Sequence, residues 1–220
     1  MRVRYLSLAL FLVVAVAGCG GGGDSTVSAS SLQPHLASAT SVPGFKLERR
    51  LDWSDPVNLV SEGMFLPEAT HPSQAVSEIK NAHFEGAAGE VLRQGSGFNA
   101  TELNIGVAKF KSAADANAVR DWMHKQDLQQ PCFVQCIFSP RPASIRGVPG
   151  ARFVVQLPTG APKPPPGAIP VGGGPQSNYL AEFTVGRYLH WVFLQASAKD
   201  KGEVVAGVKG YYAQAQKADG

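Results

Sequence analysis

The chain has 220 residues, with 20 Lys and Arg against 17 Asp and Glu, and 44% of it is hydrophobic. A balance this close to neutral, without a basic cluster, excludes the electrostatic footprint that nucleic-acid binding requires. It also offers no polybasic face to a membrane surface.

Residues 1–18 have the build of an export signal. Arg2 and Arg4 form a positive start, and the stretch from Tyr5 to Ala17 contains one clearly polar residue, Ser7. Such an apolar run of about 13 residues falls short of the roughly 20 that cross a bilayer. A buried N-terminal helix is the alternative, but an all-apolar helix followed by four glycines has no obvious packing partner. The run closes in Val16-Ala17-Gly18-Cys19, which resembles the lipobox of bacterial lipoproteins. The resemblance implies cleavage before Cys19, acyl groups such as palmitate on that cysteine, and an extracytoplasmic protein held at the cell membrane or outer membrane. Gly20, standing where an Asp would retain such a protein at the inner membrane, permits outer-membrane delivery. Two or more acyl chains anchor stably where one binds only marginally. Loss of Arg2 and Arg4 leaves 18 basic side chains against 17 acidic ones.

Residues 19–43 read as the lipidated Cys19 and a flexible tether rich in Gly, Ser, Ala and Thr. About 24 such residues span roughly 25–30 Å end to end. Residues 44–220 then suffice for one core of mixed helix and strand. A helix is expected over Pro72–His83, with Pro72 in its opening turn and Ala75, Val76, Ile79 and Ala82 on one face. Strands follow at Gly89–Arg93 and Thr101–Phe110, joined by the turn chemistry of Gln94-Gly95-Ser96-Gly97-Phe98-Asn99. Ser112-Ala113-Ala114-Asp115 forms a capping box opening a second helix, with a stripe of Ala116, Val119, Trp122 and Met123. A strand at Arg152–Leu157 and a hairpin of Tyr179–Val185 and Tyr188–Gln195 around Gly186-Arg187 come next. A last helix from Asp200 to Gln216 aligns Val204, Val205, Val208, Tyr211, Tyr212 and Ala215. Hairpin followed by helix occurs twice. The expected class is α+β, an antiparallel sheet with helices packed on it.

Residues 158–177 hold seven prolines and five glycines, which reads as a surface loop because proline lacks the donor a strand needs. Within it, Lys163-Pro164-Pro165-Pro166 would sit in a pre-ordered polyproline conformation, a candidate partner-binding loop. Cys132 and Cys136 are expected to form a disulfide, since export places them where disulfides persist. An extended strand would separate them by about 13 Å, whereas the bond needs Cα atoms within about 7 Å. The intervening Phe133-Val134-Gln135 must therefore turn. A redox pair lacks the usual Cys-x-x-Cys spacing, and zinc lacks two further ligands.

Catalytic signals are weak. The five histidines, His35, His71, His83, His124 and His190, form no metal-ligating pattern, and His190 reads as a packed strand residue. Gln94-Gly95-Ser96-Gly97 lies between two strands, not in the strand-to-helix turn of a nucleophile elbow. Glu68, Glu78, Glu85, Glu90, Glu102 and Glu182 could bring two carboxylates into a cleft, but solvated positions explain them. Trp53, Trp122 and Trp191 read as core anchors, with a ligand-facing role open for Trp53.

No catalytic residue, metal or cofactor is expected. The reading is a lipid-anchored cell-envelope protein whose domain binds a small ligand, a lipid or an envelope partner without catalysis. An envelope hydrolase, or a structural or sensory envelope protein, is the alternative. The capped Ala-rich helix and the Val148-Pro149-Gly150-Ala151 turn before a strand resemble uncharacterised actinobacterial lipoproteins, a likeness that carries no functional residue across.

Overall fold

The structure, a computed structural model, describes residues 31–36, 44–62, 72–96, 100–129, 138–158, 176–197 and 201–219. In chain order these form β1 (Lys46–Trp53), α1 (Pro56–Ser61), α2 (Pro72–Asn81), β2 (Phe84–Gln94), β3 (Thr101–Phe110), α3 (Ala113–Gln129), β4 (Phe138–Ala143), β5 (Arg152–Pro158), β6 (Gln176–Val185), β7 (Tyr188–Ser197) and α4 (Lys201–Asp219). A short 3-10 turn, Gln33–His35, precedes them. The strands make one seven-stranded sheet in the order β1-β2-β3-β7-β6-β5-β4, antiparallel at every junction. This is the α+β architecture that the hairpin pattern predicts. Hairpin then helix does recur, as β2-β3-α3 and β6-β7-α4, but the two helices pack on opposite faces.

Strand alternation divides the core accordingly. On one face Leu103, Ile105, Phe153, Val155, Tyr179, Phe183, Val192 and Leu194 meet Val204, Val208, Tyr211 and Ala215 of α4. On the other, Trp53, Ala87, Val91, Phe110 and Trp191 meet Leu59 and Val60 of α1, Ala75 and Ile79 of α2, and Ala116, Val119 and Met123 of α3. The stripes anticipated for α2 and α4 are the buried ones, except that Val76, Val205 and Tyr212 are half-buried.

Two glycines make the second face close-packed. Gly89 and Gly106 stand opposite each other on β2 and β3. A Cβ on Gly106 would lie 2.0 Å from the Trp191 ring, and one on Gly89 would lie 2.9 Å from Trp53. The two indoles, brought in from β1 and β7, therefore lie over bare backbone, with ring centroids 6.5 Å apart. Trp53 and Trp191 are buried and Trp122 is half-buried, so Trp53 faces the core and no ligand.

Local chemistry sets the ends of the elements. Ser112 Oγ accepts the Asp115 backbone N–H at 3.1 Å and caps α3, as expected. Asp55 Oδ1 accepts from the N–H groups of Val57 and Asn58 and caps α1, with Pro56 in the first turn. Gly186 takes a positive φ of 55° while Arg187 does not, the signature of a type II′ turn. That turn closes the β6–β7 hairpin with Val185 opposite Tyr188.

Three elements depart from the expectation. β1 was not anticipated: five of the eight residues of Lys46-Leu47-Glu48-Arg49-Arg50-Leu51-Asp52-Trp53 are charged. It is an edge strand, where charge and the register shift between Leu47 and Arg49 discourage further pairing. α1 follows at once behind its Asp55 cap. β4 forms at the opposite edge despite Pro140 and Pro142. The prolines alternate, so they can turn their missing donors outward while Ser139, Arg141 and Ala143 supply N–H groups to β5. The expected 158–177 loop is also narrower, since Pro158 belongs to β5 and Gln176 and Ser177 to β6.

Candidate functional site

Cys19, Cys132, Cys136, Lys163, Pro164, Pro165 and Pro166 all lie outside the described residues, as do His71 and Glu68. His190 is packed, as expected: it is fully buried and stacks on Phe183 with centroids 4.9 Å apart. Its Nδ1 lies 3.1 Å from the Tyr211 hydroxyl, which donates to the Gly106 carbonyl at 3.0 Å. With the phenol proton used there, Nδ1 carries the hydrogen of this contact. His35 stacks on Tyr188, and His83 lies 3.5 Å from Asp115. Among the described residues no group of three His, Cys, Asp or Glu side chains could hold a metal.

The acidic residues depart most from expectation. Glu78, Glu85 and Glu102 are half-buried, while Glu90 and Glu182 are buried. Glu90 Oε1 accepts from Arg50 Nε at 3.1 Å across the β1–β2 pair. Glu182 sits on β6 beneath α3 and hydrogen-bonds to Asp127 of that helix. Glu182 and Asp127 are each 2% exposed. Burial, then the Asp127 charge and the hydrogen bond to it, hold the Glu182 proton well above the usual carboxylate range, with Arg120 pulling weakly the other way. Two carboxyls are therefore brought together, both buried beneath α3.

A polar lattice continues from this pair. Asp121 Oδ1 accepts from Arg120 and from Arg152. Burial would raise the Asp121 carboxyl, but the hydrogen bonds from the two guanidiniums overcome it and hold the group low. Arg120 also donates to Thr184 Oγ1, which donates to Asn117. His124, one turn before Asp127, has its pKa held below the ordinary imidazole value by its own burial and then by Arg152, against the pull of Asp121.

Beyond the lattice, the same sheet face carries a row of hydrophilic residues. Gln156 pairs with Asn178, Asn178 with Gln195, Gln195 with Glu102, Glu102 with Arg93 and Arg93 with Lys46. Alternation puts Gln156, Asn178, Glu102 and Arg93 on the α3 side, in phase with Glu182 and Trp191. Asn178 donates to Gln156 Oε1 at 3.0 Å. Asn104, one step inward, donates to Glu102 Oε1 at 3.1 Å. Both asparagines are buried, yet the Oδ1 atom of each accepts no hydrogen bond among the described residues. An unsatisfied buried acceptor costs about 1–3 kcal/mol, and these two are not singular, since Trp53 Nε1, His124 Nδ1 and Glu182 Oε2 on the same face also have no hydrogen-bond partner among the described residues.

Between these asparagines stands Phe193, which pairs with Asn104 on one side and Leu180 on the other. β7 is the central strand of the sheet. A core strand buries its large side chains, yet Phe193 is only half-buried, while Trp191 and Leu189 on the same side are covered. Coverage of the α3 face by described elements thus thins at this row. The result is a half-buried aromatic on the central strand, beside two buried asparagines. Its sequence signal was faint: Asn104 and Asn178 alternate with apolar residues as solvated strand positions do.

No family model matches the chain, and no curated protein matches it. Among solved structures, the extracellular domain of PknH from Mycobacterium tuberculosis is similar, with a TM-score of 0.52 and 13% sequence identity. The match covers 87% of this chain and 100% of that one. At this identity the likeness is one of fold. No helix among the described residues is long and apolar enough to cross a membrane.

Proposed function

We propose that this chain is a lipid-anchored cell-envelope protein whose α+β domain binds a ligand without catalysis, at the half-buried Phe193. The observation that carries the reading is Phe193, a large aromatic left half-buried on the central strand of the sheet. Burial of Asp127 and Glu182 favours this reading over hydrolysis. A fold held in common with an extracellular domain supports display outside the membrane, and the lipobox resemblance at Cys19 supports an acyl anchor.

Native mass spectrometry of the purified full-length protein tests the binding. A co-purifying mass that is lost on Phe193→Ala is expected, and its absence from the parent protein counts against the reading. The anchor has its own check in cell fractionation. Cys19→Ala should move the protein out of the membrane fraction, and retention there would refute the anchor.

A further inference from the structure

We infer that Asp127 and Glu182 form a proton-operated latch: while the two carboxyls share a proton the C-terminal end of α3 stays shut on the sheet, and removing that proton frees it. The latch rests on the packing of α3 and is independent of any ligand at Phe193.

Two carboxyls can hydrogen-bond to each other only while one of them keeps its proton, since an ionised carboxylate has nothing to donate. Glu182 and Asp127 make that bond, and each is 2% exposed, so the folded pair holds one proton between them. A second charge here would be poorly met. Asp127 lies in the last turn of α3, where the helix dipole presents its negative end. The residues opposite Glu182 on its neighbouring strands are Arg152 of β5 and Trp191 of β7. Arg152 donates to Asp121, while Arg120 directs Nε and Nη2 at Asp121 and Nη1 at Thr184. His124 and Asp121, the other titratable groups of α3 facing this pair, are held below their ordinary values of 6.5 and 3.8, so neither changes charge above neutral pH. Loss of the shared proton therefore sets two negative charges face to face, out of water. The sign follows: the contact holds at low pH and is lost as pH rises through the folded value of Glu182.

The release is local. Ser112 caps the start of α3, and its buried residues are Ala116, Val119, Arg120, Met123 and Asp127. Past Met123, then, Asp127 is the one buried residue that ties the helix to the sheet. Repulsion at Asp127 acts on the last turns, while the earlier ones stay packed, the pattern of a segment that opens without global unfolding. Glu182 is also the diagonal neighbour of Phe193 across β6 and β7, which sets the latch beside the half-buried ring.

Hydrogen–deuterium exchange of the purified full-length protein, read by mass spectrometry and corrected for the intrinsic pH dependence of exchange, tests the latch. Between about pH 5 and about pH 9, protection of amides 124–129 should fall about tenfold or more relative to those of β3, and in Glu182→Gln the ratio should stay flat. A flat ratio in the parent overturns the inference. So does a loss of protection shared equally by β3, and so does a fall that survives Glu182→Gln. Infrared spectroscopy gives a second reading that needs no variant. At about pH 7, where ordinary carboxyls are ionised, the parent should show the carbonyl band of a protonated carboxylic acid, fading over the range in which the amides lose protection. Absence of that band overturns the shared proton, and the latch with it.

Discussion

Gly106→Ala is the substitution that most directly probes how the sheet is packed. The new Cβ would lie 2.0, 2.2 and 2.6 Å from Cζ2, Cε2 and Cη2 of Trp191, where carbon atoms need about 3.5–4.0 Å. The indole must therefore move by roughly 1.5 Å, and it has little room: it is 3% exposed and packs in one cluster with Trp53 and Val119. Overpacking costs about 1–3 kcal/mol, and loss of a buried aromatic about 3–5 kcal/mol. A penalty of about 3 kcal/mol is expected. Gly106 lacks a positive φ, so backbone conformation adds nothing to it. At about 2–4 °C per kcal/mol for a domain of this size, the melting temperature should fall by about 6–12 °C, with a change in the near-ultraviolet circular dichroism of the tryptophans. On a Trp191→Leu background the same substitution should cost little, giving a coupling of about 2 kcal/mol in the double-mutant cycle. A fall of less than about 2 °C, or additive effects, would refute the close approach of ring and backbone.

Further expectations concern charge, helix and cap. Glu182 holds its proton in the folded state above its ordinary value of 4.5, so its contribution is fully present below that pH and is lost as pH rises through the folded value. Glu182→Gln should therefore raise the melting temperature, by a margin that grows from about pH 5 to about pH 8; a constant or shrinking margin would contradict the buried pair. Gly202, Gly207 and Gly210 lie on the exposed side of α4, and a Cβ added at any of them would meet nothing within 4 Å. Alanine at each should stabilise the protein by roughly 0.5–1 kcal/mol, read in urea titrations. Asp55→Ala removes the α1 cap and should cost about 1 kcal/mol, with the same titration as the check.

How much of this was legible in the chain differs from element to element. β3 and the β6–β7 hairpin announced themselves because period-2 alternation and the Gly186-Arg187 turn are local signals. The Ser112 cap is equally local. β1 was hidden by its charges and β4 by its prolines, for one reason: both are edge strands, and edge strands carry residues that a central strand would not tolerate. The lattice under α3 was half visible. Ala116, Val119 and Met123 define a stripe, and helical spacing extends the same stripe through Arg120 and Asp127. Hydrophobicity ends at Met123, so those two charges read as solvated.

The sequence by itself determined the alternation of its strands, the faces of its helices and the starts and stops between them, because these follow from contacts within a few residues. It also carries the lipobox resemblance at Cys19, a pattern complete in four positions. Only the tertiary structure decided which polar side chains went inside. Glu182, Asn104 and Asn178 each alternate with apolar neighbours as half-exposed strand residues do, and on a sheet covered on one side they would face water. This sheet has helices on both faces, and the order β3-β7-β6-β5 sets together side chains that stand far apart in the chain, Asn104 of β3 and Asn178 of β6 among them. Burial of that kind depends on what the other layer covers, and no local pattern encodes it.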